Sequence, residues 1–193
     1  MGAYDELRTI YTRYKHISVQ LDIERRSLPA IIAETFNAYL GCPQGFIEPT
    51  TRRHRKYVSP AIALKSNTGH GAQLLLNPYN PITDGLPNLD YDDDSRFYFG
   101  ICVFLEIAED TYPKEAFGIL LSAKQLTKKG VYSININISG REHKVNIADI
   151  QSFDKLHESL LDLIRTSLSG MRIEYEPKQG IGFMRFNSSD EEK

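Results

Sequence analysis

The sequence predicts an α+β fold: two N-terminal helices, a mainly antiparallel sheet of about six to eight strands, and one helix near the C-terminus. Three observations carry this. The longest apolar run, Phe97 to Leu105, and a second one, Ala116 to Leu121, flank a charged turn containing Pro113. Both runs are rich in β-branched and aromatic residues, and a Pro-containing polar turn between two such runs reads as an antiparallel hairpin, Arg96–Leu105 against Ala116–Lys124. Because apolar residues are consecutive there, the hairpin is expected to be central and covered on both faces. The second observation is helical periodicity at the N-terminus, and the third is a period-two strand followed by a period-3.6 helix near the C-terminus.

Leu7, Ile10, Tyr14, Ile17 and Leu21 alternate steps of three and four over residues 4–26, an a/d seam about three heptads long. Asp5 and Glu6 suit the positive end of this helix, Arg25 and Arg26 the negative end. Such a seam packs either on the chain's own sheet or on another molecule, so self-association through helix 4–26 is one partner expectation. Ser27-Leu28-Pro29 restarts the chain as a second helix with Ile31, Ile32, Phe36, Tyr39 and Leu40 on one face, and Gly41 ends it.

Strands are expected at Tyr57–Leu64 and Gln73–Leu76, with a tight turn at Gly69-His70-Gly71. A long turn-rich connection, Asn77 to Asp94, follows. Tyr132, Ile134, Ile136 and Ile138 alternate with polar residues, turning at Ser139-Gly140 into His143, Val145 and Ile147. Ser152, read as an N-cap, opens a helix to Ser169 with Phe153, Leu156, Leu160, Leu163, Ile164 and Leu168 on one side and Gly170 as its stop. Met171–Tyr175 and Ile181–Phe186 read as a last hairpin. Residues 1–186 thus form one expected domain, helical over 1–40 and sheet-containing over 56–186, with 187–193 a polar tail or linker.

Hydrophobic residues at 41%, charged residues at 25% and a net charge of −2 fit a globular protein without a uniformly basic surface. Two cysteines, Cys42 and Cys102, do not make a disulfide framework and point to a cytoplasmic protein. The N-terminus has neither a signal-peptide pattern nor a myristoylation pattern, and no apolar run reaches the ~18 residues needed to cross a membrane.

No catalytic motif, cofactor or metal site is expected. The acid-x-Lys spacing of metal-dependent nucleases occurs at Glu142/Lys144, but the neighbouring strand, 131–138, carries no second carboxylate for the ion. Asp90, Asp92 and Asp94 alternate as in a calcium loop, yet Ser95 and Ile101 stand where its Gly and Glu belong. What stands out is Arg52-Arg53-His54-Arg55-Lys56, four fixed positive charges in five residues of an acidic chain. In an extended segment Arg53 and Arg55 share one face, and Arg52, His54 and Lys56 the other. These side chains suit phosphates, with Thr68, His70 and Tyr79 as accessory contacts. The first expectation is therefore a non-catalytic module that recognises nucleic acid or another polyanion. The alternatives are an assembly subunit using the N-terminal helix, and a metal-dependent nuclease-like enzyme. Against the first stands the simpler reading that the basic segment pairs with the chain's own acidic loop at Asp90–Asp94.

Overall fold

The computed structural model describes residues 2–48, 52–68, 71–81, 84–89, 92, 94–106, 115–169 and 183–185. The helix α1 spans Ala3–Tyr39, with Pro29 inside it. The two expected N-terminal helices are thus one. Pro29 has no N–H to return to the Arg25 carbonyl, which normally kinks or ends a helix at a cost of ~3 kcal/mol. Here the helix carries on because Leu28, Pro29, Ile32, Ala33 and Phe36 are all buried on the far side of that break. Ser27 Oγ bonds back to the Glu24 carbonyl at 2.8 Å within the same turn. Gly41, with φ +64, stops the helix as the sequence implies, and Gly41 and Cys42 donate to the carbonyls of Ala38 and Asn37.

The strands follow in order: β1 Phe46–Ile47, β2 His54–Arg55, β3 Val58–Thr68, β4 Gly71–Pro78, β5 Arg96–Leu105, β6 Glu115–Gln125, β7 Val131–Ile136, β8 Arg141–Asn146 and β9 Phe183–Arg185. β1 and β2 pair as a separate two-stranded ribbon. The rest form one antiparallel sheet in the order β4-β3-β5-β6-β7-β8, with β9 against the free part of β6 at Glu115–Phe117. The central hairpin has the expected register, Arg96 opposite Lys124 and Leu105 opposite Glu115. Phe99, Ile101, Val103 and Ile119 are buried, as are nearly all their neighbours on both faces. Thr68 of β3 pairs with Gly71 of β4; residues 69 and 70, on which the expected turn falls, lie outside the described residues. The same holds for 171–175, the expected partner of the last strand.

The two sheet faces are covered differently. On one, Phe97, Phe99, Ile101, Phe117, Ile119, Leu121, Tyr132 and Ile134 meet Leu28, Ile32 and Phe36 of α1. Phe153, Leu156, Leu160 and Ile164 cover the same face from the C-terminal side, where a 3-10 turn, Ile150–Phe153, leads into α2, Asp154–Ser169. On the other face a smaller cluster gathers Phe46, Tyr57, Ala61, Cys102, Phe104 and Ala116. Leu76 of β4 closes over the sheet there: a Cβ on Gly100 would fall 2.4 Å from its Cδ2, and one on Gly118 2.9 Å from its Cδ1. The two glycines make the slot that Leu76 fills.

Three details depart from the sequence reading. Ile138 falls in the turn after β7 and is exposed, and so is Leu168 near the end of α2. Ser152 is not an N-cap: Asp149 caps the 3-10 turn by accepting from the Gln151 N–H. The Ser152 hydroxyl instead ties the turn to β8, accepting from the Asn146 N–H at 2.8 Å.

Candidate functional site

The basic segment is partly engaged within the chain. Arg52 turns the backbone with φ +53, and its N–H and the Arg53 carbonyl bond Glu48. β2 then pairs His54 with Ile47 and Arg55 with Phe46. That ribbon lays Arg55 alongside the Glu48 carboxylate, Nε to Oε2 at 3.0 Å, with both side chains largely shielded. Lys56 reaches Glu34 of α1 at 3.3 Å. Glu48 and Glu34 thus meet two of the segment's cations; of the acidic loop, Asp92 accepts from the N–H groups of Asp94 and Arg96 and from the Tyr98 hydroxyl, while Asp90 lies outside the described residues. Arg52, Arg53 and His54 are exposed. Gly45 lets the ribbon close: a Cβ there would come within 2.5 Å of the Arg55 carbonyl and the His54 ring.

Of the accessory residues, Tyr79 does not join this segment. Tyr79 is 6% exposed, its hydroxyl has no hydrogen-bond partner among the described residues, and burial pushes that hydroxyl up to about 12. A ring so placed cannot stack on a base from solvent. Thr68 is described by its backbone alone, at the end of β3, and His70 lies outside the described residues. Glu142, the carboxylate of the nuclease-like spacing, accepts a hydrogen bond from Ser133 and sits 3.7 Å from Arg96. Among the described residues no group of three or more His, Cys, Asp or Glu side chains could hold a metal ion. A depression of about 440 Å³ between Lys128, Lys144, Val131, Val145 and Asn146 is floored by Ser152, whose hydroxyl already serves the Asn146 backbone and the Asp149 carbonyl.

The N-terminal seam is placed quite differently. Leu7, Ile10, Tyr14 and Ile17 are 65%, 58%, 64% and 47% exposed. From Gly2 to Gln20 every residue but Asp5 is exposed, so this part of α1 is an arm that leaves the body. Contact with the body begins near Leu21 and is pinned by polar bonds: Tyr132 donates to Glu24 at 3.2 Å, and Arg25 Nε to Gln125 Oε1 at 2.9 Å. The arm's own bonds are local. Thr9 and Thr12 return their hydroxyls to the carbonyls of Asp5 and Arg8, and Arg8 pairs with Asp5 at 3.4 Å. The sequence located the seam; what it did not show is that the body stops short of it. No helix among the described residues is long and apolar enough to cross a membrane.

Comparison with protein-family models, with curated proteins and with solved structures gives no significant match.

Proposed function

We propose that the protein is an assembly subunit: the α+β body anchors α1, and the arm, residues 3–21, is the surface through which it takes a helical partner. One observation carries this, the solvent exposure of a seam with a/d spacing. Helix propensity supports it. Thr9, Ile10, Tyr11, Thr12, Tyr14, Ile17, Ser18 and Val19 are indifferent helix formers, and isolated helices of this length are marginal in water even when rich in Ala. An arm of this composition, unsupported by its own body, holds its helix best against another apolar face.

The test replaces Ile10 and Ile17 by Asp together. The expected outcome is a body that unfolds at the unmutated temperature, with association in sedimentation velocity abolished. Loss of the folded body would show that the seam belongs to the core and would end this reading.

A second reading, binding of nucleic acid or another polyanion, draws on the exposed tip Arg52-Arg53-His54. The logarithm of affinity for duplex DNA would fall with the logarithm of salt, with a slope of about −0.9 for each phosphate that the segment neutralises. Fluorescence anisotropy at low salt decides it, where absence of binding removes this reading.

A further inference from the structure

We infer that the arm's partner is a second copy of this chain, packed antiparallel with Leu7 of each copy against Ile17 of the other and Ile10 against Tyr14. This rests on the proposed function and adds the identity and direction of the partner.

The first support is the spacing of the seam. Positions 3, 7, 10, 14, 17 and 21 are symmetric about residue 12: 7 maps onto 17, 10 onto 14, and Ala3 onto Leu21. Two arms run against each other about a twofold axis at the height of residue 12, between Ile10 and Tyr14, therefore match every seam residue with a seam residue, in the isologous arrangement that closes a dimer. The second is length. Residues 3–21 rise about 27 Å, and α1 first becomes partly shielded by its own body at Leu21. In this register the tip of one arm ends where the body of the other begins, so each arm covers its partner's whole exposed seam.

The direction follows from where the body sits. Leu28 lies seven residues after Leu21 and so continues the same stripe, and it is wholly buried in its own core. Glu24, on the stripe between them, is held by Tyr132. From residue 24 onward the seam side of α1 thus faces its own sheet. Two copies paired in parallel would bring both bodies to one end, on the inner side of both helices, and force them apart. Antiparallel pairing puts the bodies at opposite ends and opposes the two helix dipoles.

Charge permits the pairing and marks its weak point. Over residues 3–21 Asp5 and Glu6 stand against Arg8, Arg13 and Lys15, so the arms carry little net repulsion. Beside the axis, Tyr11 approaches Tyr11 of the second copy on one flank, and Arg13 approaches Arg13 of the second copy on the other. In a parallel pair Arg13 would face Ser18 instead.

The experiment is disulfide trapping combined with sedimentation equilibrium on the full chain. Leu7→Cys and Ile17→Cys are made separately, oxidised alone and as an equimolar mixture, and the linked peptides are identified by mass, which sets aside Cys42 and Cys102. A disulfide needs Cα atoms within roughly 7 Å. Antiparallel arms place residue 7 beside residue 17 of the other copy, and separate 7 from 7 and 17 from 17 by about 15 Å along the axis. The expected result is a concentration-dependent dimer whose 7–17 link forms at least tenfold faster in the mixture than the homotypic link forms in either variant alone. Rapid 7–7 and 17–17 links would establish a parallel pair and overturn this inference while leaving the arm as the docking element. A chain that stays monomeric at all concentrations, with its body unaffected by the seam substitutions, would equally overturn it and assign the arm to a different helical protein.

Discussion

Within one helix, α1, two regions share a pattern and differ in everything that surrounds it. From Leu28 to Phe36 the apolar side chains are sealed between helix and sheet; from Leu7 to Ile17 they stand in solvent. Both follow steps of three and four. Periodicity reports that one face of a helix is apolar, and says nothing about whether that face is covered by its own chain or left for another. The difference comes from where the body begins: α1 is partly shielded from Leu21 onward, and its first hydrogen bonds to the sheet are at Glu24 and Arg25.

The largest expected effect separates the two regions outright. Phe36→Ala should cost about 3–5 kcal/mol of stability, because a fully buried ring leaves a cavity beside Tyr39 and His157. Ile10→Ala should leave the stability of the isolated chain within about 0.5 kcal/mol, since its side chain touches no core. Chemical denaturation at low protein concentration measures both. A comparable loss at the two positions would erase the distinction between arm and root.

Next in size is a pH effect confined to the root. His157 of α2 is buried among Phe36, Tyr39 and Phe153, with its Nε2 3.1 Å from Thr35 Oγ1. Thr35 already donates to the Ile31 carbonyl, so His157 Nε2 is the donor to it and Nδ1 is left bare. Burial lowers this imidazole from 6.5 to about 4, against a smaller opposing pull from Asp154. The unfolded chain therefore binds the proton first. The stability His157 contributes is complete above pH 6.5 and is lost as pH falls from there towards 4, on the order of 3 kcal/mol in all. His157→Phe should flatten the stability profile across that window, and the arm's association should not follow it. An unchanged profile in the variant would show that His157 is not the group that titrates.

The smallest effect belongs to the arm alone. Removing the Arg13 charge should tighten self-association by a few tenths of a kcal/mol, about twofold in Kd, with no change in the unfolding of the body. Weaker association of Arg13→Ala would place Arg13 in an attractive contact that the antiparallel register does not contain.

Much of the fold was legible because its signals are local. The hairpin Arg96–Leu105 with Glu115–Gln125 announces itself by consecutive apolar residues, and β7 by strict alternation. The break at Pro29 misled because local propensity was set against burial that only the folded sheet supplies. Ser152 misled for a related reason: a hydroxyl at the right spacing for a cap found a better partner in the β8 backbone, a contact that pairs residues through tertiary structure. The site was legible in part. The charge run at Arg52–Lys56 is plain in the sequence, but the pairing of Arg55 and Lys56 is not, because Glu48 arrives through the β1–β2 ribbon and Glu34 from a helix remote in the chain. Tyr79 stands in a turn-rich segment of the sequence, whereas its burial depends on β3, which accepts its N–H through the Pro60 carbonyl.

Amide hydrogen exchange of α1 as a function of protein concentration tests the central claim most directly. At concentrations where the chain is monomeric, the amides of residues 6–20 should exchange close to the rate of an unsupported helix, while those of 32–39 are protected by the core. Raising the concentration should slow exchange across 6–20 selectively, and Ile10→Asp with Ile17→Asp should abolish that slowing. Protection of the arm that is already full in the monomer and indifferent to concentration would contradict the account, because the seam would then need no partner.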